Sequence, residues 1–228
     1  MIFKNQYDPS FWQKSVFTMG VLAIVSIAIM FMFIGNLPAL ACLKPYQISG
    51  DPLRRILIAS CLIIYFLRLQ ITVWVFQKRK WTWLETVTIS VVMPFALYVF
   101  AKVGGNNRQV IGIVEVIGIL LYLAGSYINT YAEYSRYVWK LKEENSGRLY
   151  TEGLFSLAMH INYFGDIVLF TGFAMITHRV SMFIIPLIMT TNFVFNIIPS
   201  LDRYLEKKYG DDFRGYSAKT KKMIPKIY

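Results

Sequence analysis

Residues 153–176 read GLFSLAMHINYFGDIVLFTGFAMI. A polar approach through Arg148, Thr151 and Glu152 gives way to an apolar run, with Asn162, Tyr163 and Asp166 at its mouth. If the run is a helix, Asn162 and Asp166 are four residues apart and share one face. An amide and a carboxylate at the edge of a hydrocarbon layer are costly unless they line a polar cavity or hold a ligand. These residues are therefore candidate binding groups, provided that the rest of the chain belongs in a hydrocarbon layer.

The composition supplies that layer. Hydrophobic residues make up 56% of the 228 positions and charged residues only 16%, with a mean hydropathy of +0.46. Apolar runs of spanning length occupy 16–34, 56–76, 84–100, 110–128, 161–176 and 182–198. Backbone groups in lipid must be paired within their own segment, so each run is expected to be helical. The expected fold is all-α: a polytopic integral membrane helical bundle of six transmembrane helices, or seven if a half-buried segment lies near Gly153. Nothing divides residues 1–228 into two domains. The stretch before residue 16 lacks the pattern of a secretory signal, so the first run is read as a retained span.

A net charge of +11 raises the question of nucleic acid. The Lys and Arg residues fall in short loops between apolar runs and in the last 26 residues, which is where positive charge orients a membrane protein. No nucleic-acid partner is expected. Both termini are expected in the cytoplasm, in a cytoplasmic or endoplasmic-reticulum-type membrane, and a monomer is the expected state. The tail lysines Lys219, Lys221, Lys222 and Lys226 suit anionic lipid headgroups.

Few other polar residues sit at membrane depth. Arg68 and Tyr65, three apart, share a face; they either belong to the interfacial belt, with Arg68 snorkelling, or line a site. Glu115 is expected to pair with Arg108 or a loop. Asn192 and Asn196 are expected to bond between helices, or else to line a ligand cavity. Asn129, Glu133, Arg136 and Lys140 recur at spacings of 4, 3 and 4, which makes a polar wall on one helical face. Gly147 is expected to end that helix, with Arg148 directly after it. His160 reads as structural, His178 in the opposite loop has no role assigned, and Cys42 and Cys61 read as small buried hydrophobes with no metal-ligand spacing. No metal site, phosphate-binding Gly-rich loop, H-E-x-x-H or G-x-S-x-G motif is found.

The segments RLYTEGLF, NYFGD and DRYLEKKYGDDFRGYSAKTKKMIP together resemble the C-terminal domain of the membrane steroid 5α-reductases and their bacterial relatives. The resemblance covers residues 125–225 well and 60–80 loosely. It implies N-terminal helices over 15–104 and a cofactor-binding region over 109–228. It also implies NADPH as cofactor and reduction of an activated C=C bond, an enone, in a lipid or steroid-like substrate. Asn162 and Asp166 would then hold the nicotinamide half, and Tyr163 between them would also bind the cofactor. Asn129, Glu133, Arg136, Lys140, Arg148 and Tyr204 match further cofactor positions. YFLRLQITVWVFQKR would make Tyr65 the proton donor, with Arg68 and Arg79 as phosphate contacts. The chain departs from mammalian steroid reductases in having no acidic residue in the apolar run before Tyr65, where they carry a Glu that works with the Tyr. It also has Met159, His160 and Ile161 where many bacterial relatives have Arg-His-Pro.

Two other readings stay open. Isoprenylcysteine carboxyl and phospholipid methyltransferases share a distantly similar C-terminal half and use S-adenosylmethionine, a sulfonium with no phosphate. A non-catalytic member of the fold is the third reading.

Overall fold

The computed structural model describes residues 8–34 and 49–228. Cys42 lies outside them. Among the described residues every regular element is helical. Eight α-helices follow one another: α1 (Phe11–Phe33), α2 (Pro52–Ile71), α3 (Trp83–Gly105), α4 (Ile113–Leu141), α5 (Ile161–Ile176), α6 (Ile184–Asn192), α7 (Ile198–Tyr209) and α8 (Asp211–Lys219). A π-turn, Thr72–Phe76, prolongs α2, and a second, Phe193–Ile197, joins α6 to α7. Five helical stretches are long and apolar enough to cross a bilayer: Phe11–Phe33, Pro52–Phe76, Trp83–Gly105, Ile113–Leu141 and Val180–Tyr209. The chain is an integral membrane protein.

The local chemistry of the starts is plain. Asp51 caps α2 by accepting from Arg54 N at 2.8 Å, with Pro52 at the first helical position. Thr82 caps α3 in the same way through Glu85 N. Helix α4 is one continuous rod of 29 residues, about 43 Å long at 1.5 Å per residue. The span expected over 110–128 and the polar wall of 129–140 are thus a single helix that runs past the hydrocarbon layer. It ends at Leu141, ahead of the expected 143–147 stop; Asn145 bonds back to Trp139 O at 2.9 Å, and Gly147, at φ +75°, turns the chain towards Arg148.

The fifth apolar run forms α5, which at 16 residues is about 24 Å long and shorter than a full span. Its position explains its length. Half of its residues are buried, including Leu169, Phe173, Ala174 and Ile176, so it is an inner helix held by its neighbours. Glycines set its contact with α4: Gly118 and Gly125 on one helix, Gly165 and Gly172 on the other. A Cβ on Gly125 would lie 2.3 Å from Leu169 N, and one on Gly165 would lie 2.7 Å from Asn129 N. Only backbones that touch leave so little room, as small residues permit between membrane helices. This approach sets Asn129 of α4 beside the first turn of α5.

The far end of the bundle is tied by a buried cluster. Arg54 and Glu115, both fully buried, are 2.8 Å apart; Arg54 also donates to Ile176 O at 2.6 Å, and His178 Nδ1 lies 2.5 Å from Glu115. Glu115 therefore pairs with Arg54 and a loop histidine, while Arg108 donates to Ser49 O instead. Asn196 donates to Asn192 at 3.1 Å within their own helix, on an exposed face, and not between helices.

Candidate functional site

At the opposite end, three helices bring their polar residues together. Arg68, near the end of α2, donates from Nη1 to Asn129 Oδ1 at 2.5 Å and from Nη2 to Asp166 Oδ1 at 3.1 Å. Asn129 donates in turn to Asn162 O at 2.9 Å, and Asn162 Nδ2 donates to Glu133 Oε1 at 2.9 Å. Glu133 also accepts from Arg136, whose guanidinium lies 5.4 Å from the Phe155 ring. Six of the residues singled out in the sequence thus form one hydrogen-bonded network, two cations against two anions. Arg68 is 9% exposed and Asp166 20%, so the network is largely withdrawn from solvent but open at one side.

The spacing explains the arrangement. Asn129, Glu133 and Arg136 follow one face of α4, and Asn162 and Asp166 follow one face of α5. The Gly165 contact holds the two faces in register. The approach to α5 is fixed by the C-terminal tail, since Met159 N and His160 N donate to Lys221 O and Lys222 O at 2.8 and 2.7 Å. His160 is buried and bonds Asp202 at 2.8 Å, and Lys222 lies 3.2 Å from the other Asp202 oxygen. This is the structural role expected for His160. Tyr216 of α8 donates to Phe155 O, and burial pushes its pKa up, so it stays a donor at neutral pH.

The other expected residues border the network. Tyr163 stacks between the His160 ring, 5.8 Å away, and the Phe193 ring, 4.6 Å away. Tyr65 lies one turn deeper than Arg68, is 2% exposed, and has the Arg68 guanidinium 5.0 Å from its ring. Its hydroxyl donates to Met93 Sδ at 2.7 Å. Lys140 reaches Tyr209 OH at 3.4 Å. Tyr204, on α7, has Lys208 5.9 Å from its ring. Arg79 is held by both oxygens of Glu85, a partner that the sequence did not point to. Arg148 is exposed beyond the Gly147 turn, at the same end of the molecule but outside the network.

Arg68 Nε is buried and has no acceptor. A guanidinium with one donor still unmet, two amides and a half-open carboxylate can receive a ligand that carries both acceptors and donors, such as a carboxamide or a phosphate. Lys140 and Arg148 leave positive charge at the rim. The donor set fits a polar, phosphate-bearing cofactor.

A family model described as "Protein of unknown function (DUF1295)" matches residues 64–220, well over half of the chain. No curated protein matches it. The match begins beside Tyr65 and takes in every residue of the network.

Proposed function

The chain belongs to the DUF1295 family, associated with steroid 5α-reductase-like proteins, and from that premise we propose that it is a membrane-embedded, NADPH-dependent reductase of an activated C=C bond in a lipid or steroid-like substrate. The observation that carries the reading is the network in which Arg68, Asn129, Glu133, Arg136, Asn162 and Asp166 meet at one end of the bundle.

In this reading Asn129, Asn162 and Asp166 hold the nicotinamide half beside Tyr163. Arg68, Arg79, Arg136, Lys140, Arg148 and Tyr204 take the phosphate-bearing half, for which the planar fork of Arg is well suited. When bound, NADPH supplies a hydride to the β-carbon of the substrate. Tyr65 aims a hydrogen bond at the carbonyl oxygen, where negative charge develops, and gives up its proton there. Arg68, 5.0 Å from the Tyr65 ring, compensates the charge that Tyr65 then acquires. Burial of Tyr65 keeps water from the reacting atoms. The site end faces the cytoplasm by the distribution of Lys and Arg.

The test is the Tyr65→Phe variant in bilayer discs, with NADPH binding and NADPH-dependent reduction of lipid enones followed separately. Binding should match wild type while turnover falls about 100-fold or more, the range of a lost general acid. Normal turnover would remove Tyr65 from the chemistry.

A further inference from the structure

The Tyr65 hydroxyl donates to Met93 Sδ in the contact between α2 and α3, and a thioether is a weak acceptor for it. A buried tyrosine hydroxyl ordinarily finds an oxygen or nitrogen partner. Ser90 lies three residues before Met93 on α3, so the two are neighbours on the helix surface. The Ser90 hydroxyl oxygen is buried and has no partner. Pro94, also buried, sits inside α3 and has no N–H to offer the Ser90 carbonyl four residues back. A phenol that gives its hydrogen only to sulfur thus meets, on the adjoining turn of α3, an unpartnered hydroxyl and a carbonyl relieved of its helical bond. Between them stands Met93, an unbranched side chain with three rotatable bonds that adapts readily.

Unmet hydrogen-bonding capacity in a hydrocarbon setting is rare and calls for an explanation. We propose that Tyr65, Ser90 and Met93 form a subsite for the carbonyl oxygen of an apolar ketone. The Tyr65 and Ser90 hydroxyls both donate to that oxygen, and the Met93 side chain swings aside to admit it. Ser90 is then the second donor to the carbonyl, in a chain whose apolar run before Tyr65 carries no acid. Met93 sets how bulky a group can follow the carbonyl inwards. The chemical use of the subsite rests on the reductase reading above, but its binding step needs no cofactor.

The experiment is a thermal melt of the full-length, detergent-solubilised protein without cofactor. The probes are 4-cholesten-3-one and 2-nonadecanone, with cholestane and nonadecane as controls that lack the oxygen. Wild type should gain several degrees with at least one ketone and nothing comparable with its hydrocarbon. Ser90→Ala should lose most of that gain, about a tenfold weakening, and Ser90→Thr, which keeps the hydroxyl, should retain it. Without probe, Ser90→Ala should melt no lower than wild type, because it removes a buried group that has no partner. Met93→Ala should bind the ketone at least as well, and Met93→Phe should abolish the gain. A full ketone response in Ser90→Ala, or no ketone-specific response in wild type, overturns the subsite. NADPH is tested in parallel wells: a ketone response that depends on Ser90, without any response to NADPH, leaves the subsite standing and sinks the reductase.

Discussion

The Arg68 guanidinium of α2 and the Asp166 carboxylate of α5 lie 3.1 Å apart across the site, joined by residues 98 positions apart in sequence. The pair is mostly buried, so its charges cancel locally and the group that bridges it must match both signs. Arg136 is likewise matched by Glu133, and Arg79 by Glu85. Lys140 and Arg148, at the rim, are left to meet the most exposed phosphate.

Asp166→Ala removes one partner of Arg68 and leaves Asn129 as the other. The loss of a hydrogen bond to a charged group is worth about 1.5–3 kcal/mol, so NADPH should bind about 10- to 100-fold more weakly. A fluorescence titration measures this directly. Unchanged affinity would confine Asp166 to a structural role.

Arg148→Ala should weaken NADPH about tenfold or more and NADH much less, if the side chain reads the additional phosphate. Its exposure means that stability should hardly change. Equal losses for the two nucleotides would take that phosphate away from Arg148.

Gly165→Ala should loosen the contact that sets Asn129 against α5. The added Cβ would lie 2.7 Å from Asn129 N, and overpacking of this kind costs about 1–3 kcal/mol. The melting temperature should drop and NADPH affinity with it. Gly20→Ala in α1 is the control, since a Cβ there meets nothing within 4 Å. Equal stability of the two variants would show that the close approach is not required.

Glu115→Ala should be among the most destabilising single changes, because it strands the fully buried Arg54. Breaking such a pair costs about 3–5 kcal/mol. Because the cluster lies at the far end, the fraction that remains folded should bind NADPH as wild type does. A parallel loss of affinity would mean that the two ends are coupled through α5.

The sequence displayed the bundle because lipid forces each apolar run into a helix, and it displayed the network because regular helices turn spacing into faces. Asn129, Glu133 and Arg136 could be placed together from their spacing alone, as could Asn162 and Asp166. What spacing does not display is which face meets which. Arg54, Glu115 and His178 were missed as a cluster because residues more than 60 positions apart leave no periodic signal. The seven-residue intervals Gly118–Gly125 and Gly165–Gly172 were the available clue to the α4–α5 contact. The expected ends failed where helices continued: α4 beyond 128, and α6 through a π-turn into α7, where Asn192 and Asn196 bond each other. Ser90 and Met93 drew no notice, since a serine and a methionine in an apolar run are unremarkable until Tyr65 is set against them.

The most direct test of the central claim is the thermal stability of the detergent-solubilised protein with NADPH, NADH and S-adenosylmethionine in separate wells. A ligand at about a hundred times its dissociation constant stabilises by about 2.7 kcal/mol, enough to move the melting point by degrees. The account predicts a clear rise with NADPH, a smaller one with NADH and none with S-adenosylmethionine. A rise with S-adenosylmethionine alone would contradict it and make the chain a methyltransferase, and no rise with any of the three would contradict it in favour of a non-catalytic member of the fold.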